Sequence, residues 1–142
     1  MARPKHNPRS DENHKIVSDF VKRIPSYGGL PLACRDMSKK GGSMVDWALC
    51  LGPLTIWPEV KTPEAFASKD NGMTAGELDF FDTWPAPKAL IVDDADIAEM
   101  LQNWYPMAIA LQELIERKAN EQVLHSYSLG RSVFTHNGWK SD

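Results

Sequence analysis

The chain has little of what would place it among secreted, membrane-bound or metal-knuckle proteins. In 142 residues it has two cysteines, Cys34 and Cys50, too few for a disulfide framework, so both are expected to be reduced core thiols. No apolar run approaches the roughly 18 residues needed to cross a bilayer, so no membrane partner is expected. The opening Met1-Ala-Arg-Pro-Lys-His-Asn-Pro-Arg9 lacks the apolar stretch of a signal peptide, which predicts a cytoplasmic location. His6, His14, His125 and His136 are scattered without zinc-ligand spacing, and His14 reads as a surface residue. No internal repeat is visible.

What is present suits one ordinary domain. Hydrophobic residues make up 42% and charged residues 25%, enough to bury a core at this length. The net charge of −3 conceals a division. Residues 1–45 hold nine Lys/Arg against four Asp/Glu, and residues 46–142 hold seven against fifteen. A basic front half points to a polyanionic partner.

Residues 1–9 read as a flexible basic arm. Ser10 is placed to cap a helix carrying Ile16, Val17, Phe20, Val21 and Ile24, which Pro25 stops. Gly28-Gly29 predicts a turn and Leu30–Asp36 a strand. The segment 37–43 is a basic, glycine-containing loop. Val45–Leu51 and Leu54–Lys61 predict a hairpin about Gly52-Pro53. Residues 62–72 form a polar loop, and Thr74–Trp84 a helix with Leu78, Phe81 and Trp84 facing inward. Lys88–Val92 is a short strand, and Asp94 caps a helix with Ile97, Met100 and Leu101. A further helix is expected from about Pro106 to Leu124, with Met107, Leu111, Leu114 and Ile115 as its stripe. Trp47, Trp57 and Trp84 are expected in the core. Tyr127, Phe134 and Trp139, with Arg131 and Lys140, form a tail without clear period. The order predicts an α/β or α+β fold with a mixed sheet flanked by helices.

The hairpin carries the chemistry. If Gly52-Pro53 is the turn, Leu51 pairs with Leu54 and Cys50 with Thr55, so Asp46 comes to face Glu59, with Lys61 on the same side as Glu59. Directly opposed residues have Cβ atoms about 4.5–5.5 Å apart, where like charges repel. A divalent cation offsets that repulsion, and hard Mg²⁺ suits carboxylates, water and phosphate oxygens. Such an ion polarises a phosphodiester and acidifies bound water, while Lys61 positions that water or counters the charge developing on phosphate. The loop Lys39-Lys40-Gly41-Gly42-Ser43 is small and basic enough to admit a nucleic-acid backbone. The same residues also suit a strand-end Asp and a surface Glu–Lys pair without chemistry. Pro58 cannot donate a ladder bond, so the strand must be an edge there or carry a bulge.

Asp46 with Glu59-Val60-Lys61, the upstream Gly41-Gly42 and the downstream Thr74-Ala-Gly-Glu77 resemble the PD-(D/E)xK nuclease superfamily, and most of all the small VRR-NUC-like proteins of phages and prophages. Phe80-Phe81-Asp-Thr-Trp84, Ala89–Val92, the Asp-initiated helix to Leu101 and the opening Asp11–Ile16 continue the resemblance over about residues 10–102. Residues 103–142 are then an appended helix and tail. The resemblance implies a restriction-endonuclease-like αβββαβ core and a Mg²⁺-dependent DNA endonuclease, with Mn²⁺ able to substitute, in the host cytoplasm if phage-encoded. It implies Asp46, Glu59 and the Val60 carbonyl as metal ligands and Lys61 as the catalytic lysine. Glu12 or Asn13 would complete the site. Two positions depart from the pattern: Val45 stands where Pro is usual, and Pro58 where an apolar residue precedes the Glu. Glu77 is open to two roles, as the partner of Thr74 in a capping box and as a site-orienting residue. Arg3, Lys5, Arg9, Lys39, Lys40 and Ser43 are the expected backbone contacts, DNA the expected partner, and a homodimer through the appended helix the expected assembly. A non-catalytic nucleic-acid-binding or virion-assembly protein, and a nuclease acting on RNA, are the alternatives.

Overall fold

The computed structural model describes residues 13–38, 45–129, 133–135 and 138–140, with side chains through Glu121. The first helix, α1 (Ile16–Arg23), buries Val17 and Phe20. It stops one residue earlier than the periodicity suggests. Ile24 is its C-cap, donating to the Phe20 carbonyl at 2.8 Å, and is exposed instead of continuing the stripe. Ser10 lies outside the described residues.

Two tight turns build the sheet. Gly28-Gly29, both at positive φ, join β1 (Ser26–Tyr27) to β2 (Leu30–Asp36). Gly52, at φ 55°, opens the turn between β3 (Trp47–Leu51) and β4 (Leu54–Val60), a backbone conformation that glycine adopts without penalty. The five strands lie in the order β1-β2-β3-β4-β5, with β5 (Lys88–Ile91) parallel to β4 and the other neighbours antiparallel. The polar loop after β4 contains a short helix, α2 (Pro63–Phe66), capped by the Thr62 side chain, and a 3₁₀ turn at Lys69–Gly72. Helix α3 (Ala75–Thr83) connects β4 to β5. The fold is therefore α+β with a mixed open sheet.

Alternation along the strands divides the sheet into two faces. Leu30, Leu32, Trp47, Leu49, Leu51, Ile56 and Val60 form one core with Val17 and Phe20 of α1 and with Ile97, Met100, Leu101 and Ala108 of the last helix. The intervening β4 residues, Trp57 and Glu59, meet Phe80 and Glu77 of α3 on the other face. The buried residues of α3 are Glu77 and Phe80, not the expected Leu78, Phe81 and Trp84. Trp84 remains 38% exposed, stacked on Phe80 with ring centroids 5.1 Å apart. Trp47 is buried, Trp57 half-buried, and Cys34 and Cys50 are free and half-buried.

The two helices expected at the C-terminal end are one, α4 (Asp94–Leu129), with Pro106 inside it. The junction expected at residue 102 falls within this helix. Both Pro106 and Gln102, whose carbonyl loses its i+4 donor, are exposed, so water can satisfy that carbonyl and the helix continues. Its first turn is capped by Asp93 in place of Asp94: the Asp93 carboxylate accepts from Asp96 N–H at 3.0 Å, and Asp96 accepts from Val92 N–H at 2.8 Å. A small hairpin, β6 (Val133–Thr135) and β7 (Gly138–Lys140), follows. No helix among the described residues is long and apolar enough to cross a membrane.

Helix α4 is locked to the β1–β2 turn at one place. Tyr105 donates to the Gly28 carbonyl at 2.7 Å, and its ring stands edge-on to Tyr27. A methyl group on Gly28 would overlap the Tyr105 ring and sit on a left-handed backbone. Gly28→Ala is therefore expected to destabilise by about 2–4 kcal/mol, from overpacking and the lost left-handed freedom together. Urea unfolding would measure it, and unchanged stability would contradict this docking.

Candidate functional site

Site residues assemble where the hairpin ladder ends. Ladder pairing of β3 with β4 runs Leu51↔Leu54, Cys50↔Thr55 and Leu49↔Ile56, the register read from the Gly-Pro turn. Toward Pro58, which has no N–H to give, side chains take over from backbone. The Glu59 carboxylate accepts from Asp46 N–H at 2.9 Å, and the Asp46 carboxylate accepts from Val60 N–H at 3.1 Å. Each acid thus caps the other strand's backbone, and both are held on one side of the sheet. Glu59 is only 2% exposed.

Lys61, on the same face two residues on, reaches both flanking acids. Its Nζ lies 3.2 Å from Glu59 and 2.9 Å from Glu77. Glu77 fills both expected roles at once. Its Oε1 accepts from Thr74 N–H at 2.9 Å while Thr74 Oγ1 accepts from Glu77 N–H at 3.2 Å, a complete capping box. That cap sets the phase of α3 and turns Glu77 toward Lys61. Asn13, three residues before α1, donates to the Lys61 carbonyl at 2.6 Å. It joins the site by bracing the strand that carries Lys61.

Electrostatics follow from burial and like-charge crowding. Burial, the hydrogen bond with Glu77 and the charges of Asp46 and Glu77 push Glu59 up to about 9, against the opposing pull of Lys61. Burial also raises Asp46, although the Val60 N–H and His14 oppose it. For Glu77, burial is outweighed by hydrogen bonds with Glu59, Thr74 and Lys61, and its acidity rises. Lys61 is likewise held protonated in spite of burial, by its hydrogen bond to Glu77 and the nearby acids. Glu59 therefore keeps a proton at neutral pH and shares it with Glu77. The charge partner of Lys61 is Glu77, although its contact with Glu59 is also within ion-pair distance.

These groups line a cleft of about 550 Å³, together with His14, Asp36, Ser38, Thr62 and Thr74. His14 is not a free surface residue. Its Nε2 pairs with Asp36 at 3.0 Å, its ring packs on Trp47, and its carbonyl accepts from Trp47 Nε1 at 3.0 Å. The pattern of the sequence did not point to it, because its partner lies twenty-two residues away on β2.

Asp46, Glu59, Val60, Lys61 and Glu77 are brought together. Arg3, Lys5, Arg9, Glu12, Lys39, Lys40 and Ser43 lie outside the described residues, as do the side chains of Tyr127, Arg131, Phe134, Trp139 and Lys140. Among the described residues no three His, Cys, Asp or Glu side chains are gathered closely enough to hold an ion. The oxygen donors on offer are the Asp46–Glu59 pair. No family model, curated protein or solved structure matches the chain.

Proposed function

We propose that the chain is a Mg²⁺-dependent nuclease that hydrolyses phosphodiester bonds in DNA. One observation carries the reading: at the end of one hairpin the Glu59 carboxylate accepts from Asp46 N–H and the Asp46 carboxylate from Val60 N–H, beside a lysine 3.2 Å from Glu59. Leaving aside the two-residue β1 and the short α2, the order α1, the antiparallel strands β2, β3 and β4, α3 and the parallel β5 supports the αβββαβ core implied by the PD-(D/E)xK resemblance.

The donor chemistry fits a hard divalent cation. Asp46 and Glu59 supply oxygens, the resemblance adds the Val60 carbonyl, and Glu12 is the third acid proposed. A buried carboxyl that retains its proton at neutral pH is a group a cation can deprotonate, in exchange for offsetting the repulsion that raised it. When bound, Mg²⁺ supplies Lewis-acid polarisation of the phosphate and a more acidic water. The chain supplies preorganisation. Backbone N–H groups of Asp46 and Val60 fix the two carboxylates before substrate arrives. Lys61, tethered by Glu77, directs an ammonium at the charge that grows on the phosphoryl oxygens. Asn13 holds the carbonyl of Lys61 and so the end of β4. Arg3, Lys5, Arg9, Lys39, Lys40 and Ser43 are the proposed backbone contacts, and exposed Met107 and Leu114 on α4 suit a two-fold dimer.

The test is cleavage of duplex, nicked and branched DNA, with RNA alongside, in Mg²⁺ or Mn²⁺. Asp46→Asn is expected to lower the rate at least about 10²-fold. Undiminished cleavage by the variant would remove Asp46 from the site. A second reading, a nucleic-acid-binding or virion-assembly protein without turnover, is favoured by the capture of Lys61 between two acids and by the lack of three gathered ligands among the described residues. Thermal melts separate the two. The nuclease reading expects Mg²⁺ to raise the melting temperature, because an ion bound only by the folded state stabilises it. Wild-type melts indifferent to Mg²⁺ and Mn²⁺, without cleavage, support the second.

A further inference from the structure

The side of α3 that brings Glu77 into the cleft continues past it as an aromatic cluster that the carboxylates and Lys61 do not use. Phe80 stands one helical turn beyond Glu77 on the same side, and Trp84, the C-cap, one turn further. Opposite them Trp57 shares a face of β4 with Glu59, two residues away. The Trp84 ring lies on Phe80, with centroids 5.1 Å apart and planes 16° apart. Trp57 stands edge-on to both, 6.3 Å from Phe80 and 5.6 Å from Trp84. A ring on the far end of the stack would be much farther from Phe80 than from Trp84, so Trp57 lies beside the stack. The far face of the Trp84 indole carries no further aromatic ring among the described residues, and Trp84 is 38% exposed.

The surroundings of this ring suit a nucleic-acid strand. Glu77 and Trp84 are seven residues apart, about 10 Å along the helix at 1.5 Å per residue. That distance is roughly three nucleotides of a stacked strand, at 3.4 Å each, and fewer of an extended one. A strand with a phosphate beside Lys61 therefore comes within reach of Trp84. A cation is already there: Lys88, the register partner of Trp57 on β5, donates from its ammonium to the Trp84 carbonyl. Lys88 has no carboxylate partner among the described residues. The exposed acids of α3, Asp79 and Asp82, follow Glu77 by two and five residues and so lie on the opposite side of the helix, away from that path.

Resting on the phosphodiester reading of the cleft, we propose that Trp84, braced by Phe80 and Trp57, receives an unpaired base of the strand to be cut. The base stacks on the open face of the indole, and Lys88 supplies a cation for a neighbouring phosphate. Inside a duplex both faces of a base already lie on their neighbours, so entry would require unpairing and unstacking it. A single-stranded segment has a base face to offer at little cost. The preferred substrate is therefore DNA that is single-stranded beside the scissile bond, such as a flap, a gap or an open junction, over continuous duplex. Stacking reads no base edge, so the preference is for strand structure and not for sequence.

Fluorescence anisotropy with two labelled probes in Ca²⁺, a single-stranded oligothymidylate and a blunt hairpin duplex, tests the assignment. Trp84→Ala is expected to weaken oligothymidylate binding about 10-fold or more, the scale of one lost base–aromatic stack, with duplex binding little changed. Trp84→Phe, which keeps an aromatic face, should recover most of that loss. Trp84→Leu, which keeps only apolar bulk, should not. Oligothymidylate binding that is unchanged in Trp84→Ala overturns the subsite and leaves the cluster as a face for a protein partner. Binding as tight in Trp84→Leu as in wild type, or a loss equal for both probes, overturns it too. Should Trp84→Ala fail to fold, the comparison of Trp84→Phe with Trp84→Leu decides alone. Duplex cleavage in Mg²⁺ by the wild-type chain keeps the nuclease reading when the subsite falls. A chain that cuts nothing with Mg²⁺ or Mn²⁺, yet loses oligothymidylate binding in Trp84→Ala, defeats the nuclease reading and keeps the subsite. A wild-type chain that binds neither probe defeats the subsite.

Discussion

Glu59→Gln is expected to make the cation-free protein more stable at pH 8 while abolishing its response to Mg²⁺ and its cleavage. Glu59 is 2% exposed, and burial beside Glu77 and Asp46 pushes it up to about 9, far above the unfolded value near 4.3. Between those values the folded state holds a proton that the unfolded state has lost, so stability falls as pH rises. The contribution is fully present below about 4.3 and gone above about 9. Glutamine has no proton to lose, and its amide still offers an oxygen to Asp46 N–H and an N–H to Glu77. The variant should therefore lack this decline and exceed wild type at pH 8 by on the order of 2 kcal/mol, allowing relaxation to reduce the nominal 1.4 kcal/mol per pKa unit. Melts from pH 5 to 9, with and without Mg²⁺, read both halves of the expectation. A wild-type curve that does not fall over this range, or a variant no more stable at pH 8, would contradict the buried-proton account.

The hairpin was legible because its determinants are local. A Gly-Pro turn and strict alternation set the register through Leu49↔Ile56, and beyond the last paired residues the two acids meet through carboxylate–backbone hydrogen bonds. What alternation could not foresee was the manner of their meeting. Pro58 leaves a gap in the donor row, and the carboxylates of Asp46 and Glu59 bond across to backbone N–H groups there. Helix α3 was misread for a related reason. Apolar periodicity pointed to Leu78, Phe81 and Trp84, yet the inner face includes a glutamate that no hydrophobic pattern would place inside. The Thr74–Glu77 capping box was visible, but its second duty required knowing where Lys61 lay. Pro106 misled in the opposite sense, because a proline in an exposed turn removes a bond that water replaces. His14 lay beyond local reasoning altogether: its partners Asp36 and Trp47 are brought in by β2 and β3.

Lys61→Met, with Glu77→Gln as its partner change, is expected to separate what the lysine does for the fold from what it does for chemistry. The Lys61 and Glu77 side chains are 12% and 11% exposed, joined at 2.9 Å. Removing the ammonium leaves an ionised Glu77 and a crowded Glu59 without their cation, and breaking a buried pair in this way costs about 3–5 kcal/mol. Methionine keeps the apolar stem, so little of that loss is packing. Adding Glu77→Gln removes the orphaned charge while keeping the cap, since Gln serves at the third helical position as well as Glu does. The double variant should therefore recover most of the lost stability, and a double-mutant cycle on urea unfolding would return a coupling of about 2 kcal/mol or more. Cleavage should not recover. On the proposed nuclease reading the ammonium meant to face the phosphate would still be missing, and its loss is expected to lower kcat by about 10²–10³-fold in both variants. Restored stability with restored cleavage would make Lys61 a structural counter-ion only. Additive stability losses would instead show that Lys61 and Glu77 do not depend on each other, contrary to the ion pair that tethers α3 to the end of β4.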